Sequence, residues 1–282
     1  MSVLSSVQAS EILRAAMGRL DGIEVSLDLG RSKSLVSLNE TKVKFPDGQE
    51  LSLALIKKII GDTDTCFLVE DNELKKIFFF SKDTNKTYKL RATGSWPALE
   101  ISGILMHRIK NTNPEEDARA KIEAVGPLKG IVLDTCMGLG YSAITASKTA
   151  ERVITFEKDS NVVELARYNP YSQDLFSNKR IEIIEGDVFE QIKNFDGRYF
   201  DFIIHDPPRF SLAGELYSGD FYSELYRVLK KGGRVFHYVG DPGGKYRKKD
   251  FATGVAKRLM EAGFGGLRKD YRTEGLVAIR ES

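Results

Sequence analysis

The stretch Gly130-Ile-Val-Leu-Asp134 followed by Gly138 and Gly140 constrains this chain more than any other. An uninterrupted apolar, β-branched run bounded by glycine is the mark of a short strand buried on both faces, as in a parallel sheet. The two glycines allow a tight turn and a close backbone approach to a ligand. The run Tyr141-Ser-Ala-Ile-Thr-Ala146 then opens a helix. A strand, a glycine turn and a helix in that order place a ligand beyond the carboxyl end of the sheet. The alternation continues with strands predicted at 152–156, 181–184, 200–204 and 234–239 and helices at 161–167, 220–229 and 250–262. Two closing strands are predicted at 267–271 and 276–279. An α/β sheet that ends in a hairpin follows from this pattern.

The glycine turn alone does not name its ligand. Gly138-Leu-Gly140-Tyr-Ser-Ala143 fits the dinucleotide pattern G-x-G-x-x-A, and Glu157 closes the next strand where a ribose-binding carboxylate belongs. Two later features favour S-adenosylmethionine (SAM). Asp187 follows the third strand, where a carboxylate can accept from the amine of adenine while Val188 or Phe189 covers the ring. His205-Asp206-Pro207-Pro208 follows the fourth strand, and hydride transfer has no use for such a turn. On these residues the chain resembles the class I SAM-dependent methyltransferases over about 114–282, with D-x-C-x-G-x-G at Asp134, Cys136, Gly138 and Gly140 and a cysteine where glycine is commoner. The resemblance implies a seven-stranded, Rossmann-like α/β sheet and SAM as cofactor. It implies cofactor contacts at Asp134, Thr135, Cys136, Gly138, Gly140, Tyr141, Glu157, Lys158, Asp187 and Val188.

Methyl transfer from a sulfonium is an in-line displacement and needs a lone pair held about 3 Å from the methyl carbon. The lone pair of an aromatic amine is delocalised, and acceptors for both of its N–H groups push the nitrogen toward sp³ geometry. Asp206 supplies one acceptor and the Pro207 carbonyl a second, with proline fixing φ and removing competing donors. The pattern for amine methylation is [DNS]-P-P-aromatic. Here Pro208 is followed by Arg209 and then Phe210, so either the guanidinium plane or the displaced ring would stack on a base. D-P-P-[KR]-F also resembles RNA cytosine-C5 methyltransferases. These attack with a cysteine, and the two cysteines here, Cys66 and Cys136, are not placed for it. The catalytic set is therefore Asp206, Pro207, Pro208, Arg209 and Phe210. His205 and His237 read as packing groups. His107 is a substrate-pocket candidate, and Lys245, Arg247 and Lys248, after the loop Gly240-Asp-Pro-Gly-Gly244, are candidates for phosphate contacts.

The fuller runs Asp134-Thr-Cys-Met-Gly-Leu-Gly-Tyr141, His205-Asp-Pro-Pro-Arg-Phe-Ser-Leu-Ala-Gly-Glu-Leu-Tyr217 and Phe236-His-Tyr-Val-Gly-Asp-Pro242 are similar to a group of archaeal class I methyltransferases. Names in that group refer to spermine synthase, yet some members are rRNA cytidine N4-methyltransferases that form N4,N4-dimethylcytidine. The resemblance implies an RNA partner, ribosomal RNA or a small-subunit precursor. The alternatives are a polyamine aminopropyltransferase using decarboxylated SAM, although the Gly-Gly-Asp-Gly style of loop is missing, and a non-catalytic RNA-binding module.

Composition narrows the partners and the setting. With 42 basic and 40 acidic residues the net charge is only +2, so the chain carries no global nucleic-acid footprint. Two cysteines without metal spacing argue against zinc and against a disulfide scaffold. Apolar runs stay short of membrane-spanning length and no leader pattern opens the sequence, so a cytoplasmic protein with no membrane partner and no metal is expected. Residues 1–95 lack the βα alternation. They predict a small α+β domain for RNA docking, with helices at 11–20 and 51–60, strands at 24–28, 33–38, 65–69, 74–80 and 87–91, and a turn at 45–48. A linker over 96–113 is expected to cover the cofactor, ahead of the catalytic domain at 114–282.

Overall fold

A computed structural model describes residues 1–240 and 251–281. The chain divides into two units, Met1–Pro114 with Asn161–Gln173, and Glu115–Ser160 with Asp174–Ser282.

The first unit opens with β1 (Ser2–Leu4) and α1 (Ser6–Met17). The helix begins earlier than hydrophobic spacing predicts because Ser5 and Gln8 cap it reciprocally. The Ser5 hydroxyl accepts from the Val7 N–H, and Gln8 Oε1 accepts from the Ser5 N–H at 2.9 Å. β2 (Gly22–Val25), β3 (Ser34–Leu38), β4 (Lys42–Lys44) and β5 (Glu50–Ser52) form an antiparallel sheet. Ser52 then caps α2 (Leu53–Ile60), so the start of the run expected as helix is strand and cap. β6 (Phe67–Glu70) and β7 (Glu73–Lys76) join β1, while β8 (Phe78–Ser81), β9 (Lys86–Arg91), β10 (Ala98–Ile101) and β11 (Ile104–Leu105) make a third sheet. The single strand expected at 74–80 is therefore two. They part at buried Ile77, whose N–H donates to the Cys66 carbonyl while its carbonyl accepts from the Leu90 N–H. Leu4, Ile12, Val36, Phe45, Ile56 and Ile59 fill this unit's core.

The segment 96–113, expected as a linker, is part of the first unit. β10 pairs with β9 over four residue pairs and β11 folds back on β10. Pairing to an existing sheet satisfies backbone groups that a free linker would leave to water. Residues 161–173 also join this unit, through Tyr171, which stacks on Trp96 at 5.2 Å and donates its hydroxyl to the Leu29 carbonyl at 3.2 Å.

The second unit follows the predicted alternation. From residue 114 onward the chain order is α3 (Pro114–Val125), β12 (Ile131–Asp134), α4 (Tyr141–Ser147), β13 (Arg152–Glu157), α5 (Ser160–Tyr168, which falls in the first unit from Asn161), α6 (Gln173–Ser177) and β14 (Ile181–Glu185). Then come α7 (Val188–Gln191), β15 (Phe200–His205), α8 (Gly219–Val228), β16 (Leu229–Tyr238), α9 (Phe251–Glu261), β17 (Phe264–Asp270) and β18 (Gly275–Arg280). The seven strands run in the order β14-β13-β12-β15-β16-β18-β17. The first five are parallel, and β18 and β17 close the sheet antiparallel, as the expected final hairpin requires. This is an α/β, Rossmann-like methyltransferase fold. The central strands are apolar because helices cover both faces: Val132, Leu133, Ile203, Ile204, Val235 and Phe236 are fully buried. The order reverses between β12 and β15, the switch point at whose carboxyl ends open α/β sheets bind their ligands. Among the described residues no helix is long and apolar enough to cross a membrane.

Gly140, the N-cap of α4, has φ +76°, and a Cβ there would lie 2.2 Å from the Leu175 side chain. Gly138 has φ +55° with open space around it. The first glycine is needed for backbone angle and packing together, the second for backbone angle alone. Gly140→Ala should destabilise the wild-type protein by more than it destabilises a Leu175→Ala background. There only the left-handed backbone cost of about 1–2 kcal/mol should remain. Urea unfolding of the four proteins measures this, and equal costs in both backgrounds would show that Leu175 does not dictate the glycine.

Candidate active site

Asp134 ends β12 fully buried. Its Oδ2 accepts from the Thr155 hydroxyl at 2.6 Å, while Oδ1 has no hydrogen-bond partner among the described residues. Burial pushes its carboxyl up to about 8, and the charges of Asp206 and Glu157 act in the same direction. Glu157, at the end of β13, accepts from the Gly138 N–H and the Asp159 N–H, both at 3.0 Å. Burial raises it to about 7 against the pull of those backbone donors. A buried carboxylate oxygen without a donor fits a ligand that brings a positive charge, such as the ammonium of a SAM-type cofactor. Asp134, Gly138, Gly140 and Glu157 are thus brought together as the sequence predicts.

Other expected cofactor residues are engaged elsewhere. Thr135 is buried, with its hydroxyl 2.7 Å from His205 Nδ1 and its N–H bonded to the Ile204 carbonyl at 3.0 Å, so its side chain clamps the loop to β15. Cys136 packs against the core, and burial holds its thiol well above the usual range. Tyr141 is buried at the start of α4. Asp187 caps α7, with Oδ1 accepting from the Phe189 N–H at 2.9 Å and Oδ2 paired to exposed Lys158 at 2.7 Å. Both oxygens already have partners where an adenine amine was expected. Val188 is 4% exposed within the core, so its side chain does not cover a ring; Phe189 is only partly buried and stacks on Phe221 at 6.0 Å.

The turn after β15 rests on a buried histidine. A carbonyl only accepts, so His205 donates from Nε2 to the Leu216 carbonyl at 2.9 Å and accepts at Nδ1 from Thr135. Burial holds it down to about 3, hence neutral. His237, 4.3 Å away ring to ring, donates from Nδ1 to the Tyr238 carbonyl and accepts from the Tyr222 hydroxyl at 2.8 Å. Both histidines pack and position, as read from the sequence. Asp206 is one-quarter exposed and Pro207 is buried. The Pro208 carbonyl accepts from the Tyr217 hydroxyl at 2.9 Å, which fixes the turn, and among the described residues nothing donates to the Pro207 carbonyl. The Arg209 carbonyl accepts from the N–H groups of Leu212 and Ala213 while its side chain stays exposed. Phe210 is 54% exposed and meets Tyr217 and Phe251 edge-on at 5.6 and 5.8 Å.

The sequence did not point to Lys121. Its ammonium, buried on α3, lies 2.6 Å from Asp206 Oδ2, 2.7 Å from Asp117 Oδ2 and 4.8 Å from the centre of the Tyr238 ring. Burial alone would lower its pKa, but the charges of Asp206 and Asp117 outweigh burial and hold it above the usual range. The only sequence signal was the i,i+4 spacing to Asp117 on a helix rich in charge. In the first unit, His107 Nδ1 accepts from the Leu99 N–H at 3.1 Å and tightens the β10–β11 hairpin. Lys245, Arg247 and Lys248 lie outside the described residues.

Uncharacterized protein MJ1233 of Methanocaldococcus jannaschii is 46% identical over 285 residues, covering 99% of this chain and 96% of that protein. The chain belongs to the family of that archaeal protein. The family model described as spermine/spermidine synthase domain matches residues 130–252. A polyamine aminopropyltransferase 2 of Streptomyces coelicolor is 28% identical over 36% of this chain and 20% of its own length. An RNA methyltransferase of Thermotoga maritima, itself uncharacterized, is 37% identical over 30% of this chain and 19% of its own length. Among solved structures, a spermidine synthase in complex with the transition-state analogue AdoDATO is similar with a TM-score of 0.57 and 19% identity, over 72% of each chain. The fold is therefore spermidine-synthase-like.

The two raised carboxyls give the ligand-free protein a defined pH dependence. Near pH 7 the folded state keeps protons on Asp134 and Glu157 that the unfolded chain has lost, so stability falls as pH rises. His205 and His237, held low, are neutral in both states above about pH 6.5 and do not contribute there. Unfolding free energy should drop between pH 6.5 and 8 by about 1.4 kcal/mol per pH unit for each proton involved. Asp134→Asn should flatten the fall above pH 7. A wild-type profile that is already flat over this range would mean that Asp134 is ionised in the folded protein.

Proposed function

We propose that this protein transfers a methyl group from SAM to an exocyclic amine of an RNA base, with cytidine N4 of ribosomal RNA as the acceptor. The observation that carries the reading is the pair of acceptors at the carboxyl end of β15: the Asp206 carboxylate, and the Pro207 carbonyl to which nothing donates among the described residues. A planar NH2 group offers two hydrogens, and two fixed acceptors side by side match it. Tyr217 holds the Pro208 carbonyl, so the turn is set before substrate arrives, and preorganised acceptors lower a barrier without reorganising. Arg209 and Phe210 are exposed immediately after the acceptors, where a guanidinium plane or an aromatic ring can stack on a base.

SAM would be held by Asp134 and the Gly138–Gly140 turn, with Glu157 at the ribose position, and would supply an electrophilic methyl group. The chain's residues do the rest. Asp206 and the Pro207 carbonyl draw electron density onto the amine nitrogen and hold its lone pair in line. Asp206 is the group placed to take the proton that the nitrogen sheds.

A second reading is aminopropyl transfer from decarboxylated SAM to a polyamine. It is supported by the spermine/spermidine synthase domain match and by polyamine aminopropyltransferases among the relatives. The orphaned Asp134 oxygen suits the ammonium of either cofactor. Calorimetric titration with each cofactor, followed by mass spectrometry of RNA nucleosides and of polyamines, separates the two. The expected outcome is SAM binding and methylated cytidine. Preference for decarboxylated SAM with a lengthened polyamine as product would replace the first reading by the second.

Asp206→Ala should leave SAM affinity nearly unchanged and lower single-turnover methyl transfer by about 100-fold or more, the scale for loss of one preorganised acceptor. Asp206→Asn should retain more activity, because its carbonyl still accepts. Lys121 keeps Asp117 as partner in both variants. Unchanged turnover in Asp206→Ala would remove the turn from the chemistry.

A further inference from the structure

The reaction proposed above leaves one buried charge without a part. The Lys121 side chain is 8% exposed, and a lysine ammonium out of water persists only where its donors are satisfied. Its three N–H groups face Asp206 Oδ2, Asp117 Oδ2 and the Tyr238 ring. The trio holds two negative charges and one positive, and the positive one sits against the carboxylate that faces the acceptor.

We propose that Lys121 is a specificity-determining positioning residue: its ammonium occupies the place at Asp206 that a cationic acceptor would take, so the site admits an uncharged amine and turns polyamines away. This rests on the reading of Asp206 as the acceptor-side carboxylate. A protonated amine approaching Asp206 finds Oδ2 already occupied by the Lys121 ammonium and has to displace that ion pair to make its own. A neutral aromatic amine needs only an accepting oxygen and leaves the pair in place. It donates to a carboxylate whose position is fixed by the Lys121 pairing. Helix α3 makes the arrangement rigid, because Asp117 and Lys121 are one turn apart on the same helix face and lock each other before either meets Asp206.

Spermidine binding, measured by calorimetry on the full-length chain without cofactor turnover, tests this. Wild type should not saturate at millimolar spermidine. Lys121→Met removes the charge and takes from buried Asp117 the ammonium it pairs with, so the double variant Asp117→Asn/Lys121→Met is made beside it. In the double variant spermidine should bind about 10-fold tighter or more. Adding Asp206→Asn should abolish the gain, which separates binding at this site from attraction to surface acids. Lys121→Arg, which retains the charge, should exclude spermidine as wild type does. Equal spermidine affinity in wild type and the double variant overturns the proposal, and so does a gain that survives Asp206→Asn. RNA methylation by wild type is assayed separately. Its absence together with the expected spermidine results removes the RNA reading alone, whereas its presence with unchanged spermidine affinity removes only the role of Lys121.

Discussion

The pairing of β12 with β15 is the constraint on which the second unit depends. Register brings Asp134 beside Ile204, so the two strands end side by side and their loops leave from one edge. Hydrogen bonds then tie the loops together: the Thr135 hydroxyl meets one nitrogen of His205, and the other nitrogen of His205 donates to the Leu216 carbonyl beyond the Asp-Pro-Pro turn. A neutral histidine suits this task because it is both donor and acceptor, and burial keeps it neutral. The glycine turn and the proline turn are held by one side chain, so a distortion of either is felt by the other.

Buried charge is arranged differently at the ends of these two strands. On the β12 side, Asp134 carries an oxygen without a donor and is raised by burial, which leaves it receptive to a ligand's positive charge. On the β15 side, Asp206 already has its cation in Lys121. The same residue type is thus poised toward an ammonium in one position and satisfied by one in the other. That contrast is set by what packs around each carboxylate, since ionisation follows burial and neighbouring charge.

The spermidine-synthase-like fold alone does not select a group to be transferred, because function resides in the site and not in the fold. Discrimination resides in a few side chains around the acceptor. In the proposed reading the Asp-Pro-Pro turn presents paired acceptors, and exposed Arg209 and Phe210 a stacking surface, for a planar base.

The sequence by itself determined the second unit almost strand by strand. Its signals are local: apolar runs four to six residues long, glycines at the turns and helices of ordinary spacing. It also gave the two loops, since Asp134, Gly138, Gly140, Glu157 and Asp206 are tied to strand ends by their neighbours in the chain. Three things were decided only by the tertiary structure. Ala98–Ile101 and Ile104–Leu105, within the segment expected as a linker, became strands because a partner edge was available, and β-pairing depends on what lies alongside. Thr135, Asp187 and Val188 turned to clamping, capping and packing, because a side chain at a strand end can face either way and only its surroundings choose. Lys121 met Asp206 across 85 positions of sequence. No periodicity or motif spans that distance; the contact exists because α3 packs where the sheet's central strands end, and its charge stays buried because two carboxylates wait for it there.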